Sequence, residues 1–380
     1  MSSKSESEKP SQEAIVQGNP AAFKPTYLVL DSINVDLLSM TILAATGLAY
    51  LFHYLDAKLA VAALGLGILP LRLIFPRPRP PKGTVLITGA SSGVGAEFSY
   101  IFADKGHDLI LVGRNQDQLD VVRENVNRKY QVRADTISID LSLPGAAKEL
   151  HNQVNEKQRS VSVLVNNAGL GAAGDTMEQD VELAERMTTL NCITPVQLAH
   201  LFGNDMIKRG EGWMLHVTSV GGTFSIYPFL SLRMILIDVT AWIASPGQNI
   251  YHATKHFLRA FSEALSLELR AYPGITNTNL MPGPAHTQFI TRSHAEETFM
   301  MAASGAVEDP KRVASVGYRA LCQRKASVFS SWNAAGTTML FRFLPRSVHL
   351  TLASLLNAPL RGVLRAREPL AEQRVRGQDL

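Results

Sequence analysis

The chain has 380 residues, 46% of them hydrophobic and only 18% charged, with a formal net charge of +4 and a mean hydropathy of +0.04. That apolar content excludes global disorder, and the low charged fraction, against roughly a quarter in a typical soluble domain, implies apolar residues beyond an ordinary core. Residues 332–380 hold seven Arg against three acids, an excess equal to that of the whole chain, so the pI near 9.0 belongs to a tail and excludes a nucleic-acid binder with a basic folded face.

Residues 1–32 are read as a disordered segment. The first 25 mix Ser, Glu, Lys, Gln and Pro with few large apolar residues, and no apolar core of a secretory signal follows a basic start. Residues 33–82 are read as a membrane anchor and its linker. Leu37 to Leu55 runs for 19 residues without a charge, close to the roughly 30 Å thickness of a bilayer core. A second apolar stretch, Leu59–Phe75, is broken by Pro70 and Arg72. One span, a two-span hairpin and a buried hairpin of a soluble domain all stay open. Arg72, Arg77, Arg79 and Lys82 follow, so the positive-inside rule places the next domain on the cytosolic side of an endoplasmic-reticulum-like membrane. Pro76, Pro78, Pro80 and Pro81 make the connector stiff and extended.

From Gly83 the pattern alternates. Thr84–Thr88, Asp108–Val112, Asp135–Asp140, Val161–Asn166, Trp213–Thr218 and Ala326–Ser330 read as strands, separated by helix-like stretches that include Asp309–Cys322. This spacing predicts an α/β fold with a doubly wound parallel sheet over residues 83–331. Cys192 and Cys322 cannot form a disulfide framework, and no Cys/His spacing suits zinc, so no metal is expected.

Between the first strand and helix stands Thr88-Gly89-Ala90-Ser91-Ser92-Gly93-Val94-Gly95. Glycines there let the backbone turn sharply and approach a pyrophosphate, whose charge a helix N-terminus favours. Asn166-Asn167-Ala168-Gly169 closes the fourth strand, Asn191 stands in a helix, Ser219 follows the fifth strand, and Tyr251 and Lys255 form YxxxK. Pro282-Gly283 and Thr287 stand between YxxxK and the last of these strands. Together these ordered motifs, over about 200 residues, resemble the classical short-chain dehydrogenase/reductase family, in a membrane-anchored form.

The resemblance implies a Rossmann-type domain and an oxidoreductase acting on a carbonyl or alcohol. It implies Asn191, Ser219, Tyr251 and Lys255 as catalytic residues. It implies cofactor contacts from Gly89, Ser91, Ser92, Gly93, Val94, Gly95, Asp140, Leu141, Asn167, Ala168, Gly169, Tyr251, Lys255, Pro282, Gly283 and Thr287. Physical chemistry gives the same roles: Tyr251 and Lys255 at i and i+4 share a helix face, and a Lys⁺ beside a phenol favours phenolate. Val112-Gly113-Arg114 places Gly where an acid would hold a ribose 2′-hydroxyl, then a cation that suits a 2′-phosphate, so the cofactor is expected to be NADP(H) with Arg114 a contact.

Ser219 and Tyr251 lie 32 positions apart, where the family has roughly a dozen; removing the 19-residue, mainly apolar segment 227–245, in which only Arg233 and Asp238 are charged, leaves 13. Three accounts are open: an in-frame retained intron or gene-model error, a real flap that covers substrate or dips into a membrane, or an insertion that parts Ser219 from Tyr251. The last would leave a membrane-tethered nucleotide-binding or scaffold protein without catalysis. Pro284–Ala306 reads as a substrate loop with Phe289, Ile290, Phe299, Met300 and Met301 for an apolar pocket. The tail, 332–380, carries Met339–Leu344 and Val348–Leu356 beside Arg342, Arg346 and Arg361, a pattern for an interfacial helix or an entrance wall. Expected partners are a lipophilic small molecule and membrane lipids, with no nucleic acid; a homo-oligomer is left open.

Overall fold

Apolar runs of five or six residues become strands here because both sheet faces are covered. The computed structural model of the chain describes residues 79–219, 247–285, 307–332, 334–335 and 346–357. Among these, β1 (Thr84–Thr88), β2 (Asp108–Gly113), β3 (Ala134–Ser138), β4 (Val161–Asn166), β5 (Gly212–Val217), β6 (Ile275–Met281) and β7 (Ser327–Phe329) form one sheet in the order β3-β2-β1-β4-β5-β6-β7. Every neighbouring pair is parallel. The doubly wound parallel sheet is therefore present. Strand order reverses between β1 and β4, and the crevice beyond the carboxyl ends of these strands is where such sheets bind ligands.

The connecting helices are α1 (Gly93–Asp104), α2 (Gln116–Tyr130), α3 (Ala146–Glu156), α4 (Val181–Thr188), α5 (Thr194–Arg209), α6 (Asn249–Glu268) and α7 (Pro310–Cys322). Alternate strand residues feed two cores. Val85, Ile87, Leu109, Leu111, Val163 and Leu215 pack with Phe98 and Phe102 of α1, Leu119 of α2 and Val313 of α7. Leu86, Ile110, Val112, Leu164 and Met214 pack on the other face with Leu150 of α3 and Leu198 and Phe202 of α5. Each fully buried Leu, Ile or Phe contributes about 1.5–3 kcal/mol, so the two layers fix the strand register and with it the carboxyl edge.

β1 and β4 match the sequence reading to the residue. β3 stops at Ser138, before the expected Asp140, because the Asp140 carboxylate turns back to accept from the backbone N–H of Ser142 at 3.0 Å and its hydroxyl at 2.6 Å. Asp309 is the N-cap of α7, accepting from Lys311 N at 3.1 Å, and the helix proper starts at Pro310.

In the tail, α8 (Arg346–Asn357) buries Ala353 and exposes Val348, Leu352 and Leu355. Among the described residues no helix is long and apolar enough to cross a membrane. The apolar stretches at 37–55 and 59–75, the segment 227–245 and the run 339–344 lie outside the described residues, as do Thr287, Phe289, Ile290, Phe299, Met300 and Met301.

Candidate active site

The glycine turn is built onto the sheet by one hydroxyl. Thr88 Oγ1, at the end of β1, accepts from the backbone N–H groups of Asn167 and Ala168, both at 3.0 Å, and donates to Val165 O at 3.3 Å. Asn167 Nδ2 answers by donating to the carbonyl of Thr88 at 2.9 Å and that of Gly89 at 3.3 Å. The two motifs thus form one unit at the strand reversal. Gly89 has φ +66° and Gly93 φ +57°, which L side chains resist. Any Cβ on Gly95 would collide with the Gly89 carbonyl. Ser92 is the N-cap of α1 but its side chain caps nothing, so the first turn of α1, which has no acidic residue, leaves Gly93, Val94 and Gly95 suited to an anion. Ser91 Oγ lies 3.6 Å from where a Cβ of Gly113 would be.

Gly113 ends β2 without a side chain, and the Arg114 side chain beside it is 48% exposed. Arg114 Nη1 is 3.8 Å from Asp140 Oδ2, while Arg186 Nη2 of α4 donates to the same oxygen at 2.7 Å. Burial works to raise the Asp140 carboxyl, but hydrogen bonds from Ser142 and the charges of Arg114 and Arg186 outweigh it and hold the group below the usual range. Leu141 is 3% exposed and its carbonyl accepts from Thr194 Oγ1 at 2.7 Å, so its side chain belongs to the core.

The chain around Asn191 leaves the α-helical path in a π turn, Thr189–Ile193. The turn aims the buried Asn191 at the loop after β4: Oδ1 accepts from Leu170 N at 2.9 Å, and Nδ2 donates to Leu170 O at 2.7 Å and to Thr254 Oγ1 at 3.0 Å. Thr254 and Lys255 follow Tyr251 on α6. Lys255 Nζ donates to the carbonyl of Val217, at the end of β5, at 3.1 Å and lies 5.8 Å from the centroid of the Tyr251 ring. A Cβ on Gly169 would be 3.3 Å from that Nζ and 3.4 Å from Asn191 Oδ1, so a side chain there would crowd both groups. Ser219 and the Tyr251 phenol are hydrogen-bonded through their side chains. The structure therefore brings all four expected groups together, and the insertion does not part Ser219 from Tyr251. Loop closure depends only weakly on length, so extra residues between two fixed elements need not separate them.

Burial dominates the electrostatics. It pushes the Tyr251 phenol up to about 12 against the lowering effect of Ser219. It brings Lys255 down to about 8, which the neighbouring Cys192 partly offsets, and it raises the Cys192 thiol to about 11. The expected shift of Tyr251 toward neutrality is thus absent: removal of the phenol from water outweighs its hydrogen bond with Ser219.

Pro282 and Gly283 follow β6; Gly283 N donates to Ser330 Oγ at 3.1 Å, and a Cβ there would be 2.7 Å from Glu308 Oε1. Three contributors had no assigned role in the sequence. Thr88 and Thr254 lie inside quoted motifs, and their hydroxyls were the available signal. Arg186 lies in no motif.

A family model described as short chain dehydrogenase matches residues 83–231. The chain is 28% identical over 297 residues to dehydrogenase/reductase SDR family member 7B of Danio rerio, covering 75% of this chain and 90% of that protein. It is 32% identical over 207 residues to sulfoacetaldehyde reductase 2 of Chromohalobacter salexigens, covering 54% of this chain and 73% of that protein. Among solved structures, a short-chain dehydrogenase from Sphingobium yanoikuyae in complex with NADPH superposes with a TM-score of 0.55 at 26% identity, over 70% of this chain and 97% of that one. Sequence likeness of this extent, on a site assembled in this order, makes the chain a member of the short-chain dehydrogenase/reductase family.

Proposed function

We propose that this enzyme uses NADP(H) to interconvert a carbonyl and an alcohol on a lipophilic substrate, with residues 83–331 as the catalytic domain facing the cytosol. Residues 33–82 hold it to a membrane, and the tail 332–380 carries a positive excess equal to that of the whole chain. The observation that carries the catalytic reading is the hydrogen bond between Ser219 and Tyr251, formed across 32 positions of sequence with Lys255 one turn further along α6.

The site fits a dinucleotide. Gly89, Ser91, Ser92, Gly93, Val94 and Gly95 offer a turn without bulky side chains, and Gly113 with Arg114 offers a cation and no acid where a 2′-phosphate would stand. The NADPH complex of the Sphingobium relative supports the same choice. When bound, the cofactor supplies or accepts the hydride. Asn167, Ala168, Gly169, Pro282, Gly283 and Thr287 would hold its nicotinamide half, and Asp140 its adenine side.

Tyr251 gives a proton to the substrate oxygen during reduction and takes it back during oxidation. Ser219 donates to that oxygen and fixes its angle. Lys255 holds the nicotinamide ribose, and Asn191 orients a relay water that returns the proton from solvent. Tyr251 in the ligand-free state is a neutral phenol, the form that reduction requires.

The lipophilic substrate rests on the apolar residues of the 284–306 loop and on the membrane segment read from sequence. An NADPH-oxidation screen of long-chain and polycyclic carbonyls, with the full chain and with residues 227–245 removed, tests the proposal. Turnover that Tyr251→Phe lowers at least about a hundredfold supports it. Turnover that survives this substitution, or that occurs only with small polar aldehydes, would overturn the corresponding half.

A further inference from the structure

Asp140 presents a difficulty for a site that holds a 2′-phosphate: its carboxylate lies 3.8 Å from Arg114, the residue read as the phosphate's partner. Left alone, a carboxylate and an exposed guanidinium at this separation close into a bidentate pair whose net charge is zero, which leaves no cation for a nearby anion. They do not close here. Asp140 Oδ1 is occupied by the backbone N–H and hydroxyl of Ser142 at 3.0 and 2.6 Å, and Oδ2 by Arg186 Nη2 at 2.7 Å. Arg186 Nε also donates to Ser142 Oγ at 3.1 Å, so one guanidinium grips both the carboxylate and the hydroxyl that orients it. Ser142 is buried, which holds the assembly in place. Among the described residues Arg114 keeps only the long contact to Asp140, and Ser138 Oγ donates to its carbonyl at 3.1 Å, so its backbone is held while its head stays in solvent.

We propose that Arg186 is a positioning residue for cofactor choice: it neutralises Asp140 and keeps it from capturing Arg114, which stays available to the 2′-phosphate of NADP(H). This rests on the reading of Arg114 as the phosphate contact. Two cations against one carboxylate leave a positive balance at the site; without Arg186 the balance is zero and Oδ2, having lost its donor, accepts from Arg114 instead. Both effects act on a 2′-phosphate and spare a 2′-hydroxyl. Losing Arg186 therefore weakens NADPH selectively, whereas a purely structural defect weakens NADPH and NADH together.

The test is calorimetric titration of the full chain in detergent with NADPH and NADH, for Arg186→Gln, Arg186→Lys, Asp140→Asn, Arg114→Ala and the double variant Arg186→Gln/Asp140→Asn. Arg186→Gln is expected to lower the preference for NADPH about tenfold. Arg186→Lys falls between, since a point charge holds Asp140 but not Ser142 as well. The double variant regains the preference of Asp140→Asn, because the carboxylate that captures Arg114 is gone. An unchanged preference in Arg186→Gln, an equal loss for both cofactors, or no recovery in the double variant would overturn the inference; the last outcome would make Arg186 itself the phosphate ligand. Arg114→Ala separates the two levels. If it lowers the preference while Arg186→Gln does not, only this inference fails; if it leaves the preference intact, the reading of Arg114 fails and takes the inference with it.

Discussion

Lys255 donates to the backbone carbonyl of Val217 at 3.1 Å, which ties the face of α6 that carries Tyr251 to the end of β5 that leads into Ser219. This ammonium is 4% exposed, and burial draws it from 10.5 to about 8. Between those values the unfolded chain keeps a proton that the folded protein has released, so stability from this group rises with pH across the window and is reduced below it. For the cofactor-free protein, Lys255→Met is expected to be more favourable relative to wild type below pH 8 than at pH 10.5, by about 3 kcal/mol. Urea unfolding of both proteins at several pH values checks this. A difference that does not move with pH would mean that the ammonium is solvated as in water.

Gly95→Ala places a methyl group against the Gly89 carbonyl and about the Asn167 amide, both of which are backbone or tightly bonded and cannot step aside. The expected outcome is a loss of about 2–4 kcal/mol of stability together with at least tenfold weaker NADPH binding. Thermal unfolding and cofactor titration measure the two. Wild-type values for both would show that α1 slides away from the turn at little cost.

Thr88→Val keeps the shape of a buried side chain and removes an acceptor used by two backbone N–H groups. Each stranded donor costs about 1–3 kcal/mol, so a loss of about 2–6 kcal/mol is expected, with Thr88→Ser within about 1 kcal/mol of wild type. Denaturant midpoints at constant slope decide it; equal behaviour of the Val and Ser variants contradicts the role given to the hydroxyl.

Gly113→Asp combined with Arg114→Ala installs an acid at the end of β2 and removes the cation. A Cβ at position 113 comes within 3.3 Å of Leu119 Cδ2, the end of a flexible side chain, so the fold accommodates it. The ratio of kcat/KM for NADPH over NADH is expected to fall about a hundredfold. An unchanged ratio removes Arg114 from the cofactor site.

β1 and β4 were legible to the residue because a strand covered on both faces reads as a continuous apolar run with abrupt ends. The end of β3 was not, since Asp140 belongs by composition to either a strand or a turn, and Ser142 decides between them. Within the site, Ser219, Tyr251, Lys255 and Asn191 were legible as an ordered set of motifs. Arg186 was not: its partner Asp140 lies 46 positions earlier, and nothing in helical spacing points that far. The direction of the Tyr251 shift was also hidden. Spacing states which groups are neighbours, while the phenol responds first to how much water surrounds it.

The π turn at Thr189–Ile193 carries one residue more than an α-helix needs, and α5 begins directly after it with Leu198, Phe202 and Met206 facing the core. Deleting one residue of the turn other than Asn191 would restore regular helical hydrogen bonding and, at about 100° per residue, rotate α4 against α5. Either Asn191 then leaves Leu170 and Thr254, or those three apolar side chains leave the sheet. The locally better helix is incompatible with the molecule, so the irregularity serves as the phase setting between the packed half of this element and its polar half.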